Sequence, residues 1–119
     1  MARVLVAEDE PAVAHFIARA LDTAGHTVVL VQDGGAAYGL VTAERFDLLL
    51  SDIRMPVMDG IALALAVSAE QPTLPILLMT GYTEEYERAG DLEGLVAGML
   101  LKPFTLAQLR AAVEKALGR

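Results

Sequence analysis

The chain has 119 residues, 55% of them hydrophobic, which is enough for one domain with a single sizeable core and leaves no room for a second. It has no cysteine, which excludes disulfide frameworks and thiolate metal sites and suits a reducing cytoplasm. A net charge of −7 opposes nucleic acid and anionic membrane surfaces, and no signal-peptide core or membrane-length apolar stretch occurs, so the expected partners are proteins, small molecules or metal ions in the cytoplasm. In chain order, Val4 to Ala7 reads as a first buried strand, and Pro11 to Ala24 as a helix with an apolar stripe at Val13, Phe16, Ile17, Ala20, Leu21 and Ala24. Pro11 suits its first turn and Gly25 its stop. Thr27 to Val31 is a second strand, Gly35 to Glu44 a second helix, and Phe46 to Leu50 a third strand with Asp52 just past its end. Ile61 to Ala69 reads as a helix so apolar that part of it stays exposed, and Ile76 to Met79 as a fourth strand. The fourth helix is expected to be short or mobile, because Gly90 and Gly94 each cost about 1 kcal/mol relative to Ala. Val96 to Leu101 is a fifth strand. A last helix is opened by the Thr105 and Gln108 capping box, carries a stripe at Leu106, Leu109, Val113 and Leu117, and ends at Gly118.

Strand and helix alternate five times, so the expected fold is a doubly wound α/β domain with a five-stranded parallel sheet, because parallel neighbours need crossovers. In such a sheet ligands bind outside the strands' carboxyl ends. There the first strand is followed by Glu8, Asp9 and Glu10, the third by Asp52, the fourth by Thr80 and the fifth by Lys102. Clustered carboxylates repel one another and call for a cation, and an all-oxygen set suits Mg²⁺. With the metal in place a carboxylate can act as nucleophile toward a phosphoryl group, while an ammonium and a hydroxyl stabilise the transferred oxygens.

"AEDEP" with Glu8 and Asp9, "SDIRMPVMDG" with Asp52, Pro56 and Gly60, "LLMTGY" with Thr80 and "LLKPF" with Lys102 and Pro103 stand in matching order and spacing. On these the chain resembles, over its whole length, the receiver domains of two-component response regulators. The resemblance implies a flavodoxin-like fold of strand order 2-1-3-4-5 and a phosphorelay function in which Asp52 accepts a phosphoryl group from a sensor histidine kinase or histidine phosphotransferase. It implies Asp9, Asp52 and the backbone carbonyl of Arg54 as Mg²⁺ ligands, Glu8 as an outer-shell acid, Thr80 and Lys102 as partners of the phosphoryl oxygens, and a cis Lys102–Pro103 bond. A protein of this kind is not an enzyme beyond its own phosphorylation and dephosphorylation. Since the last helix runs to the end of the sequence, residues 1–119 are expected to form one receiver domain without an output domain, working as a monomer or weak dimer through contact with a downstream protein. The stand-alone length, "DIRMPVMDGIALALA" and Met99 are similar to the CpdR-type regulators, which implies protease machinery as that target.

Met99 departs from the family pattern, which places Tyr or Phe three residues before the lysine; Gly81, Tyr82 and the loose fourth helix are therefore expected to relay the signal. Arg54 and Tyr82 flank the site and are expected to gate water. Single features have plainer readings: Glu10 as a favourable charge at a helix N-terminus, Thr83 as the cap of the fourth helix, "TEEYER" as a solvated helix face, His15 as a surface residue, and His26 as a turn residue without a role. A haloacid-dehalogenase-type phosphatase shares the Asp, Thr, Lys and Mg²⁺ set but needs an acid where Arg54 stands. A flavin-binding module lacks its phosphate loop here, and a degenerate receiver does not account for the complete set of site residues.

Overall fold

The structure, a computed structural model, describes residues 1–92 and 94–119. Strands β1 (Arg3–Ala7), β2 (Thr27–Val31), β3 (Leu48–Asp52), β4 (Ile76–Thr80) and β5 (Gly98–Leu101) form one parallel sheet in the order β2-β1-β3-β4-β5. Helices α1 (Pro11–Thr23), α2 (Gly34–Ala43), α3 (Gly60–Glu70) and α4 (Thr83–Arg88) make the crossovers, a 3₁₀ turn at Ala89–Leu92 extends α4, and α5 (Leu106–Ala116) follows β5. This is the doubly wound arrangement and strand order that the resemblance implies.

The period of two along each strand divides the core into two layers. Leu5, Leu49, Ile76 and Leu78 pack with Ala37 and Val41 of α2, Leu63 and Val67 of α3, and Ala89. Val4, Val6, Leu50, Leu77 and Met79 point the other way, against Ile17 and Leu21 of α1 and Leu109 and Val113 of α5. Both faces of β3 and β4 are therefore covered, which is why these strands read as unbroken apolar runs.

Local chemistry fixes the helix starts. Asp33 accepts from the Ala36 amide at 2.7 Å and Asp59 from the Ala62 amide at 2.8 Å, and Thr105 and Gln108 form the expected reciprocal cap. Gly60 owes its identity to close approach: a Cβ there would lie 2.2 Å from the carbonyl oxygen of Asp52, so only glycine lets α3 begin beneath the end of β3. The intervening loop holds Val57 at φ 72°, a left-handed conformation unfavourable for a β-branched residue, on a side chain that is 85% exposed.

Several sequence expectations need correction. The third strand is displaced by two residues: Ser51 and Asp52 belong to it because they pair with Ala7 and Met79, so Asp52 ends the strand rather than following it. Val96 and Ala97 precede β5, which starts at Gly98. On α1 the buried face is Ala14, Ile17, Ala20 and Leu21, while Phe16 is 43% exposed because α5 covers only part of the stripe. The position before α4 is Tyr82, with Thr83 its first residue and no side-chain cap. His26 is buried, and its Nδ1 accepts from the Ala2 amide at 3.1 Å, tying the start of β1 to the turn before β2. The fourth helix is short, as Gly90 and Gly94 imply, with Gly94 at φ 95°. Leu65 on α3 stays about half exposed, and His15 lies on the surface.

Candidate functional site

Four chain segments meet at the carboxyl edge of the sheet. Asp52 is the last residue of β3, Thr80 the last of β4, Glu8 and Asp9 follow β1, and Lys102 follows β5. Glu8 is held in place by its amide, which bonds the Val31 carbonyl at 3.0 Å, and by Glu8 Oε2, which accepts from the Glu10 amide at 3.1 Å. Lys102 donates to Glu8 Oε1 at 2.6 Å and to Asp52 Oδ2 at 3.2 Å, while the Ile53 amide bonds Asp52 Oδ1 at 3.0 Å. The Lys102–Pro103 peptide is cis.

Carboxylate oxygens of Glu8, Asp9 and Asp52 lie within 4.8 Å of one another. Three carboxylates thus share one ammonium, a local excess of two negative charges. Glu8 is buried, Asp52 is 7% exposed and Asp9 is open to solvent. Burial, followed by the charge of Glu8, pushes the Asp52 carboxyl up to about 6, although Lys102 works against the shift. Burial alone would lower the Lys102 ammonium, but its hydrogen bond to Glu8 and the charge of Asp52 outweigh this and raise it. A hard divalent cation with oxygen ligands is what such a set lacks, so the donors fit Mg²⁺. A cleft of about 480 Å³, lined by Asp9, Asp52, Arg54, Tyr82 and Lys102, opens the cluster to solvent.

Thr80 is nearly fully buried and faces a second cluster. Its hydroxyl donates to Glu85 Oε1 at 2.7 Å and accepts from the Tyr82 amide at 3.1 Å. Glu85 Oε2 takes the Arg54 Nε at 2.7 Å, and the Arg54 guanidinium lies 3.6 Å from the centre of the Tyr82 ring. Burial works to raise the Glu85 carboxyl, yet the hydrogen bonds from Arg54 and Thr80 prevail and hold it below the usual carboxylate range. Met99, beside Leu78 in the sheet, is half-buried against the core layer that contains Ala89.

Of the residues expected from the sequence, Asp9, Asp52, Arg54 and Lys102 line this cleft, with the Arg54 side chain turned toward α4, whereas Glu8 is buried behind it against Lys102 and the Thr80 hydroxyl is engaged with Glu85 rather than with Asp52. Glu85 is the residue that sequence reasoning missed, since "TEEYER" reads as a solvated face. A signal was present: Glu85 and Ala89 are four residues apart, so both fall on the buried side of α4 and its extension.

The family model described as response regulator receiver domain matches residues 4–114. The chain is 38% identical to the response regulator receiver protein CpdR of Brucella abortus, over 98% of each chain. It spans about half the length of other relatives, such as the response regulator MprA of Mycolicibacterium vanbaalenii, at 34% identity. Among solved structures, the response regulator TrrA of Thermotoga maritima in complex with Mg²⁺ and beryllofluoride superposes with a TM-score of 0.89 at 25% identity, covering 98% of this chain and 99% of that one. The receiver domain of a Pseudomonas aeruginosa sensor histidine kinase, with magnesium in its active-site cleft, gives 0.88 at 29% identity, covering 99% and 98%.

Proposed function

The chain belongs to the response regulator receiver domain family, and from that premise we propose that it accepts a phosphoryl group on Asp52 and passes the signal to another protein by changing its surface. The observation that carries this reading is the meeting of a buried carboxylate with two further acids and a lysine at the open edge of the sheet.

Asp9, Asp52 and the backbone carbonyl of Arg54 would hold Mg²⁺, with Glu8 supporting from the outer shell. When bound, the metal supplies the positive charge that the three carboxylates lack and lets negative phosphoryl oxygens approach them. A carboxylate oxygen of Asp52 forms a bond to phosphorus as the donor's bond to phosphorus breaks, giving an acyl phosphate. Lys102, 3.2 Å from that carboxylate, would pair with a transferred oxygen, and the Thr80 hydroxyl is the neutral donor that joins it on leaving Glu85 Oε1. Access is from the cleft side, next to an apolar groove formed by Phe16 of α1 with Pro103 and Phe104. That groove gives a donor protein, a sensor histidine kinase or histidine phosphotransferase, a surface beside the acceptor.

For the output, the chain matches a relative named as the receiver protein CpdR over 98% of each chain, and we take as its target a downstream protein, in the machinery of ATP-dependent proteolysis that the resemblance to CpdR-type regulators implies. The acidic charge opposes a nucleic-acid target, and among the described residues no helix is long and apolar enough to cross a membrane.

Incubation with acetyl phosphate is expected to add one phosphoryl group, read by intact mass, when Mg²⁺ is present and none when EDTA replaces it. A gain that is indifferent to EDTA would contradict the role given to the acid cluster.

A further inference from the structure

We propose that Glu85 is a positioning residue that holds the Thr80 hydroxyl away from Asp52 until a phosphoryl group arrives. The proposal rests on the reading of Asp52 as phosphoacceptor and Thr80 as a donor to the phosphoryl oxygens.

A hydroxyl has one proton to give. In the unphosphorylated protein that proton lies on Glu85 Oε1, 2.7 Å away, so Thr80 cannot serve a phosphoryl oxygen without first leaving Glu85. Glu85 is a strong competitor, because a charged acceptor makes a stronger hydrogen bond than a neutral one, and its side chain is only 11% exposed, leaving little room for water to replace Thr80. The bond also closes a ring of contacts. Glu85 holds Arg54, Arg54 stacks on Tyr82, and the Tyr82 amide donates back to Thr80.

Phosphoryl capture thus exchanges one hydrogen bond for another: Thr80 releases Glu85 Oε1 and turns to the new oxygens. Glu85, freed on one side, stays paired with Arg54, and α4, which carries it, loses its polar tie to the end of β4. The exchange needs no aromatic ring, which suits a chain with Met99 beneath the same helix. Its cost in the resting state lowers the protein's affinity for a phosphoryl group, since only the fraction of molecules with Thr80 released is ready to bind it.

The test is the dissociation constant of beryllofluoride, measured calorimetrically with Mg²⁺ present. Glu85→Ala is expected to bind about tenfold tighter than wild type, the equivalent of roughly one hydrogen bond to a charged group. Glu84→Gln removes the same charge from the exposed neighbouring position and is expected to stay within about twofold of wild type. In a Thr80→Ala background, removing Glu85 is expected to change little, because no hydroxyl remains to be released. Should Glu85→Ala not fold, Glu85→Gln serves the same comparison: it keeps an oxygen for Thr80 without the charge and is expected to tighten binding by about threefold. Equal affinities for wild type and the Glu85 variants, or a gain that persists without the Thr80 hydroxyl, would overturn the proposal. Absence of Mg²⁺-dependent beryllofluoride binding by the wild type would instead overturn the phosphoacceptor reading, and the role of Glu85 with it.

Discussion

Asp52→Asn is expected to abolish phosphoryl uptake while making the metal-free fold more stable at neutral pH by about 2 kcal/mol. Both effects have one cause. The carboxylate needed as nucleophile is buried beside Glu8, and its folded pKa of about 6 stands above the ordinary 3.8. A raised folded pKa means that the native state holds the proton more tightly than the unfolded chain does. The resulting stabilisation is fully present below about pH 4 and is lost as pH rises through about 6, so at neutral pH the ionised Asp52 works against folding. Asparagine removes that charge, while Lys102 keeps its shorter contact to Glu8 at 2.6 Å. Urea unfolding in EDTA, at about pH 7.5 and again at about pH 5, would show the advantage of the variant roughly halved at the lower pH. Mg²⁺ is expected to stabilise the wild type and to leave the variant nearly unchanged, since binding to the native state alone raises stability by mass action. A variant no more stable than wild type in EDTA at neutral pH would show that Asp52 is not under the electrostatic load described.

Lys102→Met is expected to have the opposite sign. Methionine keeps the apolar stem and removes the ammonium, so Glu8, with a fully buried side chain, and Asp52, 9% exposed at its side chain, are left facing each other without a cation. Breaking a buried ion pair by deleting one partner commonly costs 3–5 kcal/mol. Because Lys102 is itself 17% exposed at its side chain and two carboxylates can share a proton, about 3 kcal/mol is the expected loss in EDTA at neutral pH. The loss should shrink toward acid, where the carboxylates take up protons, and with Mg²⁺, which supplies the missing charge. A loss independent of both would mark a packing defect and separate it from the electrostatic role.

Much of this arrangement was legible in the sequence, and the reason is physical. Parallel strands appear as short, nearly unbroken apolar runs, most plainly where both faces are buried as in β3 and β4, and all five were found. The ends of α1 and α5 are written in local chemistry, in Pro11 and in the Thr105 and Gln108 box. The order of acids, hydroxyl and lysine could be read because each ends its strand or follows it by no more than two residues, and the topology then gathers them. What stayed hidden depends on contacts between distant segments. The end of β3 is set by pairing of Ser51 with Ala7 and of Asp52 with Met79, which apolar periodicity does not register. Burial of Glu85 depends on Thr80 and Arg54 reaching the same carboxylate, and that of His26 on the amide of Ala2, twenty-four positions away. The strained Val57 leaves no trace in composition, since its φ is imposed by the loop that brings Gly60 under Asp52.

The central claim is that Asp52 itself carries the phosphoryl group. Reductive trapping tests it most directly: protein treated with acetyl phosphate and Mg²⁺ is reduced with borohydride, which converts an aspartyl phosphate to homoserine, and its peptides are then mapped by mass. The expected result is homoserine at position 52 alone, absent when EDTA replaces Mg²⁺. Homoserine at Asp9 or another acid, with position 52 unchanged, would contradict it.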